Sequence, residues 1–509
     1  MLKLKNLFFH LLSIFLIAGF ILAIRFKPIT TTFEFDYDEG LNLIKTLLYS
    51  KGLSLYTQIW NDQPPLFTVI LSYWFRVFGQ SVVAARFLIL LFSATLLWCF
   101  YQIVRRDLGT IPAVLATLLL FSSWVYIRLS MSVMIGIPSI ALAMLSIYFL
   151  RLYKENHQKY LMILSGIFLA ISLQTKLFTS FLAPLMFFDI FNWRWREICL
   201  NQKQGRDQYC SVERKQETGF LGETRFLRPG RDWFYTLVCW LGSFGIIYIV
   251  VGLLFQQFFH YDQIVQSHLE QPIRKGELFF NNIGYVSYIL AQDYDYIFLG
   301  CVGFLVVLFK KLRSGLFPLS WFVASAFILL NHKPIWYHYY LLLSIPTCWL
   351  AAYGIAFLLD SIPKGLKSWN IKMLICPCVV VILFIVLAIA TPTSPKGTPP
   401  KDLEVSKLIF KYKNSTQWVF TDRPMYAFNA DLRVPPEIAV MSYKRLNSGN
   451  LTSKELLAVL QNYHPEQIVL DRWAAQIKSD RQLMAYINQK YLKIYTNEKG
   501  TVEHYILLE

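Results

Sequence analysis

Runs of about 20 apolar residues recur along the chain, and they constrain its fold more than any other feature. Backbone polar groups in hydrocarbon are satisfied only in helices or closed barrels, and runs of this length fit helices. The composition agrees, because 55% of the residues are hydrophobic and only 16% are charged, whereas a soluble domain carries about 25% charged residues. The sequence therefore predicts a polytopic α-helical membrane protein.

The formal net charge is +17, and much of the positive charge lies between apolar runs. Basic clusters of this kind mark cytoplasmic loops and contacts with anionic lipid headgroups. The largest is the basic loop 190–232, where interspersed acids favour a solvated cytoplasmic loop over a nucleic-acid site. Most of the eight cysteines lie in apolar runs and indicate no metal or redox role. We therefore expect membrane lipid, and no nucleic acid, as a partner.

Alternation of basic and polar turns predicts about 11 transmembrane helices plus interfacial helices in the cell membrane. The first run, Leu7–Ile24, is expected to be a signal anchor with a cytoplasmic N-terminus. Residues 64–79 are interpreted as an interfacial helix, and the run from Tyr160 to Asp189 as two short helices that meet at Lys176. The last predicted span is Ile371–Ala390.

The composition changes at Thr391, where a Pro/Thr/Ser-rich linker over residues 391–400 follows a membrane domain over residues 1–390. Residues 401–509 are predicted to form an extracytoplasmic α/β domain of ordinary size. Its patterns predict helices and strands at the following segments: helices Leu403–Tyr412, Ser453–Tyr463 and Asp480–Tyr491, and strands Gln417–Thr421, Gln467–Asp471, Leu492–Thr496 and Val502–Leu508.

The first outer loop, residues 33–80, opens with four acids close to the end of the first apolar run: Glu34, Asp36, Asp38 and Glu39. Carboxylates so near hydrocarbon are costly unless they face water, a cation or a polar substrate. The loop is therefore a candidate active site in the headgroup zone. The alternative at this point is an ordinary solvated acidic loop.

The chain has no P-loop and no GxGxxG after a strand, so a soluble nucleotide donor has no evident site. A sugar transferred outside the cytoplasm must then arrive on a lipid carrier such as a polyprenyl phosphate. The reaction needs a base for the acceptor hydroxyl and cations for the departing phosphate. Residues expected on the outer face supply both: Asp38 with Glu39 for the base, and Arg128, Lys176, His332, Lys333 and His338 for the phosphate.

The chain resembles the GT-C fold glycosyltransferases in the succession of Asp38-Glu39-Gly40, Gln63-Pro64-Pro65-Leu66, Gly79 and Arg86. Within that fold it is similar to the group that contains the protein O-mannosyltransferases and the lipid A aminoarabinose transferase. The resemblance implies Asp38 as the catalytic carboxylate and Glu39 as its neighbour in the motif. Gln63 stands where the family often has a basic residue. Thr175-Lys176 and the His332–Tyr340 turn, with Tyr339, are similar to further family motifs. The turn Met131–Gly136 lacks the acid that many relatives carry, which argues against a metal site.

The leading hypothesis is an integral membrane glycosyltransferase that moves a hexosyl or pentosyl group from a polyprenyl-phosphate donor to a hydroxyl of an extracytoplasmic lipid, glycan or protein, with inversion. No cofactor is implied with certainty, and a requirement for a divalent cation stays open. Two other classes compete with it. One is a transporter or flippase of lipid-linked sugars, and the other is a membrane scaffold that presents the C-terminal domain.

Overall fold

The fold was obtained as a computed structural model, which describes residues 2–193, 229–266, 281–333, 335–361, 403–447 and 449–508. The predicted span Ile371–Ala390 and most of the basic loop lie outside these residues. The membrane part contains fourteen described helices of eight or more residues: α1 Leu2–Thr31, α2 Tyr37–Ser50, α3 Leu66–Phe78, α4 Val82–Leu108, α5 Thr110–Ser122, α6 Trp124–Met131, α7 Gly136–Asn156, α8 Lys159–Leu173, α9 Leu177–Trp193, α10 Pro229–Leu254, α11 Asn282–Leu290, α12 Tyr294–Phe309, α13 Leu316–Asn331 and α14 Leu341–Ser361.

Six of the described helical segments are long and apolar enough to cross a membrane, and a seventh span results if α5 and α6 count as one. The axes of α5 and α6 differ by 68° across Ser123. Four further apolar helices are shorter, among them α3, which was predicted as an interfacial helix, and the pair α8 and α9. The expected count of about 11 spans is therefore not confirmed, whereas the predicted break before Lys176 is present.

The bundle is organised around α4, which packs against α1, α5 and α7, while α8 lies between α7 and α10. The closest crossing joins α12 and α14 at Gly303 and Gly354. A Cβ added at Gly303 would lie 1.8 Å from the carbonyl oxygen of Leu350. Small residues let helix backbones approach in this way when no water drives their association.

The C-terminal domain contains four strands, β1 Val419–Thr421, β2 Gln467–Leu470, β3 Tyr491–Thr496 and β4 Glu503–Leu507, in the order β1-β2-β4-β3. β1 pairs parallel to β2, and the other two pairs are antiparallel. Both strands of the parallel pair are buried along their whole length, as their apolar sequences require. Its helices are α15 Leu403–Lys411, α16 Met425–Asn429, α17 Tyr443–Asn447, α18 Ser453–Tyr463, α19 Ala474–Lys478 and α20 Arg481–Lys490.

The C-terminal domain docks onto residues 33–39 of the membrane part, the acidic loop that carries Glu34, Asp36, Asp38 and Glu39. The hydroxyl of Tyr37, the first residue of α2, donates to the carbonyls of Asp422 (3.0 Å) and Met441 (2.7 Å). Glu34 pairs with Arg423 at 2.8 Å, and both side chains are buried. The α2 backbone comes close to α16 at Gly40, where an added Cβ would lie 3.0 Å from the Met425 nitrogen. The acidic loop therefore lies between the bundle and the C-terminal domain.

Candidate active site

A cavity of about 570 Å³ lies where the acidic loop, the helix breaks of the bundle and the C-terminal domain meet. Most of the residues that line it are charged or aromatic. The acids and cations that line it are Glu34, Asp36, Asp38 and Asp62, and Lys45, Arg128, Lys176, Arg423, Lys444 and Arg472. Such a cavity, with several convergent charged groups and perturbed pKa values, is the expected form of an active site.

Two acids of the loop reach the cavity from the start of α2. Asp36 is the N-cap residue, and its carboxylate accepts a hydrogen bond from the backbone of Asp38 at 3.0 Å. The Asp36 carboxylate also accepts from the hydroxyl of Tyr337 at 2.8 Å and lies 3.6 Å from the guanidinium of Arg128. Burial, and then the charge of Asp36, raise the pKa of Asp38 to about 6. A carboxylate with such a pKa accepts protons efficiently near neutral pH.

Glu39, the second residue of the predicted catalytic pair, does not line the cavity. Its carboxylate accepts two hydrogen bonds from Arg86, each 2.8 Å long. It also accepts from the backbone nitrogens of Phe35 (2.9 Å) and Val133 (3.1 Å). With both oxygens occupied, Glu39 holds the acidic loop against α4 and the turn before α7.

Lys176 lies in the cavity because the chain breaks between α8 and α9. The amide of Gln174 donates to the carbonyl of Tyr248 at 2.7 Å, and the carbonyl of Gln174 accepts from Leu66 at 3.1 Å, which ties the break to the start of α3. The ammonium group lies over the rings of Phe178 (4.8 Å) and Tyr339 (5.3 Å). Burial lowers the pKa of Lys176 to about 8, against the opposing effect of Asp38.

Arg128 reaches the cavity from α6, just beyond the bend after α5. Asp293 stabilises this bend, because its carboxylate accepts from the backbone nitrogen of Trp124 (2.9 Å) and the hydroxyl of Ser123 (3.0 Å). The guanidinium of Arg128 donates to the carbonyl of Phe35 at 3.1 Å and lies 4.3 Å from the centre of the Tyr337 ring. Arg128 therefore holds Asp36 and the Phe35 backbone as well as lining the cavity.

The remaining predicted residues divide into two groups. Gln63, His338 and Tyr339 line the cavity, as expected from the sequence. His332 lies behind them with its ring edge-on to Tyr339, the ring centres 5.3 Å apart, and burial lowers its pKa. Lys333 is exposed and does not line the cavity, so the structure does not bring it to the predicted phosphate contact.

The sequence analysis missed the cations of the C-terminal domain. Lys444 on α17 and Arg472 just after β2 both line the cavity, and the guanidinium of Arg472 lies 3.7 Å from the centre of the Tyr37 ring. Lys45 on α2 was also missed, and its ammonium donates to Asn61 at 3.1 Å. Of these three cations, only Lys45 could have been found from the sequence. It follows a leucine of the apolar face of α2 by four residues, and residues four apart lie on the same face of a helix, so Lys45 falls on the buried side of α2.

Within the described part of the chain, no three His, Cys, Asp or Glu side chains are grouped as ligands of a metal ion would be. The cavity acids are instead interleaved with cations. The arrangement can accept a proton at Asp38 and bind an anion at the lysines.

The chain was compared with protein families, with curated protein sequences and with solved structures. Residues 62–204 match the family described as dolichyl-phosphate-mannose-protein mannosyltransferase. Among curated protein sequences, none is significantly similar to the chain.

Two solved structures share the fold over nearly the whole chain. ArnT from Cupriavidus metallidurans, bound to undecaprenyl phosphate, has a TM-score of 0.59 at 12% identity, and the match covers 96% of this chain and 97% of that one. The oligosaccharyltransferase of Archaeoglobus fulgidus, tethered to an acceptor peptide, has a TM-score of 0.54 at 12% identity over 99% of this chain and 74% of that one. The chain thus has the fold of the GT-C glycosyltransferases, and the resemblance recognised in its sequence is confirmed.

Proposed function

We propose that the protein is an integral membrane glycosyltransferase that moves a sugar from a polyprenyl-phosphate donor to a hydroxyl of an extracytoplasmic lipid, glycan or protein. The observation that carries the proposal is one cavity in which Asp38 faces Lys176. The fold and the family match over residues 62–204 support the reaction class. Undecaprenyl phosphate in the ArnT structure supports a lipid-linked donor, and a tethered acceptor peptide in the archaeal enzyme is consistent with a protein acceptor.

The proposed reaction is a single displacement at the anomeric carbon. The acceptor oxygen forms the new glycosidic bond while the bond from the anomeric carbon to the phosphate oxygen breaks, and the electron pair leaves with the phosphate. Asp38 takes the hydroxyl proton, which makes the oxygen nucleophilic as the bond forms. One carboxylate is enough for such an inverting step.

The departing phosphate gains negative charge, and fixed cations in a water-poor cavity stabilise it more than they stabilise the bound donor. Lys176 is placed for this task, since its ammonium rests on two ring faces at the cavity wall. Arg128 is a weaker candidate for direct contact, because it already holds the Asp36 carboxylate and the Phe35 carbonyl. We assign it the role of shaping the phosphate end of the site.

The test is sugar transfer in membranes from a panel of radiolabelled polyprenyl-phosphate sugars, with the wild type and Asp38→Asn expressed at matched levels. Asparagine keeps the size of the side chain and removes the base, so transfer should fall by about a hundredfold or more. Parallel reactions with a chelator establish whether a divalent cation is required. Wild-type rates in Asp38→Asn would refute the assignment of the base.

The two competing classes give different results with the same variants. A transporter or flippase would move the lipid-linked sugar across the membrane without forming a glycosidic bond. A scaffold would lose function on removal of residues 401–509 but tolerate Asp38→Asn. The deletion alone does not separate scaffold from enzyme, because the C-terminal domain lines the cavity. Asp38→Asn is therefore the discriminating change.

A further inference from the structure

Lys444 is held at the cavity by the docking of the C-terminal domain. It lies on α17, three residues after Met441. The carbonyl of Met441 accepts hydrogen bonds from the hydroxyl of Tyr37 (2.7 Å) and from the indole of Trp473 (3.0 Å). These two bonds fix the start of α17 over the beginning of α2. The next residue, Arg445, is directed elsewhere, because it donates to the Glu437 carbonyl and stacks on Trp60.

The charges that line the cavity do not balance. Arg423 bridges Glu34 and Asp471, each at 2.8 Å, and Arg128 lies 3.6 Å from Asp36. Among the described lining residues, this leaves four cations (Lys45, Lys176, Lys444 and Arg472) with two carboxylates (Asp38 and Asp62). Lys176 and Lys444 both interact with these two carboxylates and repel each other, so they face one shared space. Four cations that share two carboxylates in a buried cavity are costly unless a further anion enters.

A sugar phosphodiester of a polyprenol brings one negative charge, and the phosphate gains a second as the sugar leaves. The excess of positive charge among the lining residues favours an anionic ligand, and the attraction grows as the phosphate gains its second charge. An uncharged acceptor hydroxyl would leave the surplus unmatched. The position before Pro64, close to Asp62, is the neutral Gln63, so this part of the loop adds no cation of its own.

We propose that Lys444 of the C-terminal domain binds the phosphate of the lipid-linked donor jointly with Lys176, so that the active site is completed by both domains. The proposal rests on the proposed function for the identity of the donor. It makes Lys444 a binding residue that contacts the leaving group. Because its effect grows as charge develops, it contributes to the rate of the chemical step as well as to donor affinity.

The experiment measures binding of polyprenyl phosphate to the full chain in detergent containing a constant amount of phosphatidylglycerol, with polyprenol as the uncharged control lipid. We expect Lys444→Gln to weaken polyprenyl phosphate binding about 10- to 100-fold, as loss of a charge-assisted contact does. Lys444→Arg should recover most of the affinity. Lys454→Gln, an exposed lysine of the same domain, is the matched control and should bind like the wild type. Binding of polyprenol should not change in any variant.

Transfer kinetics supply the second readout. Lys444→Gln should raise the KM for the donor and lower kcat, and leave the KM for the acceptor unchanged. Unchanged affinity for polyprenyl phosphate in Lys444→Gln would overturn the inference, as would an effect confined to the acceptor KM. If the wild type transfers no sugar but Lys444→Gln still weakens polyprenyl phosphate binding, the phosphate site is supported and the proposed reaction fails. The failure of the inference and the failure of the proposed function are therefore distinguishable.

Discussion

Glu39 and Arg86 are joined by two parallel hydrogen bonds of 2.8 Å, and each side chain is at most 1% exposed. Arg86 also donates to the carbonyls of Ile29 and Thr32, both at 2.8 Å, so it gathers the end of α1, the acidic loop and α4 around one guanidinium. A buried ion pair of this kind adds modest net stability while intact, but the loss of one partner leaves an uncompensated charge.

We therefore expect Glu39→Gln to destabilise the protein by about 3–5 kcal/mol. Thermal unfolding of the purified protein in detergent measures the change. Asp38→Asn is the matched control one residue earlier, and it should not lower the unfolding temperature, because it replaces a partly buried carboxylate that carries an unfavourable desolvation cost. An unchanged unfolding temperature in Glu39→Gln would contradict the positioning role.

The rate of sugar transfer should depend on pH in a bell-shaped manner. Asp38 accepts a proton only when ionised, and its pKa is raised to about 6, so activity should rise as the pH increases through this value. Lys176 binds phosphate only when protonated, and its pKa is lowered to about 8, so activity should fall above it. The two groups interact, so the limbs report the pair. The profile of kcat/KM for the donor is the measurement, and a rate still rising above pH 9 would exclude this assignment.

Gly40→Ala should disturb the docking of the C-terminal domain. The added methyl group would lie 3.0 Å from both the Met425 backbone nitrogen and the Glu34 carboxylate, so α2 and α16 would have to separate. We expect a loss of about 1–3 kcal/mol in stability and a higher KM for the donor. Gly242→Ala is the control, since an added Cβ on α10 meets nothing within 4 Å. Equal behaviour of the two variants would show that the close approach is unimportant.

Asp293→Ala should loosen the bend that carries Arg128. The change removes the acceptor for the first backbone nitrogen of α6 and for the Ser123 hydroxyl. Loss of a capping carboxylate costs about 1–2 kcal/mol, and the displaced Arg128 should release Asp36 and weaken donor binding. Ser122→Ala serves as a control, because its hydroxyl donates to the Leu119 carbonyl within α5 and not to Asp293. Unaltered donor affinity in Asp293→Ala would show that the bend between α5 and α6 does not affect donor binding.

The local structure of the C-terminal domain could be predicted from sequence because short-range signals determine it. The predicted helix Ser453–Tyr463 is present with its bounds unchanged, and Thr452 and Glu455 form a capping box at its start. The predicted strand at Gln467 is β2. Apolar period and capping chemistry are local properties, so they need no knowledge of the rest of the fold.

The composition of the site could be predicted only in part, because it depends on which segments meet. Asp38, Gln63, Lys176, His338 and Tyr339 belong to motifs beside helix breaks and do line the cavity. Lys444 and Arg472 lie in segments with no motif, and long-range contacts bring them over α2, among them the bonds of Tyr37 to Asp422 and Met441.

Neighbouring residues in one motif were also hard to separate. Asp38 and Glu39 are adjacent in sequence, but α2 turns by about 100° per residue, so one faces the cavity and the other faces Arg86. The sequence assigns both residues to the motif but does not show which of the two carboxylates pairs with a distant arginine. Lys333 shows the same difficulty in the turn that carries His338, because five residues of separation take it to the surface.

The division of the cavity between the two domains has a consequence for biosynthesis. The ribosome makes Asp38 and Lys176 long before Lys444 and Arg472, and a chain that ends at residue 361 contains the proposed base but only two of the four cations that share the cavity with Asp38 and Asp62. By this arrangement a nascent chain that is still being inserted holds an unfinished candidate active site. If the cavity carries out the proposed transfer, competence begins only after residues 401–509 have been translated and have folded onto the acidic loop, which protects the lipid-linked sugar pool from incomplete polypeptides.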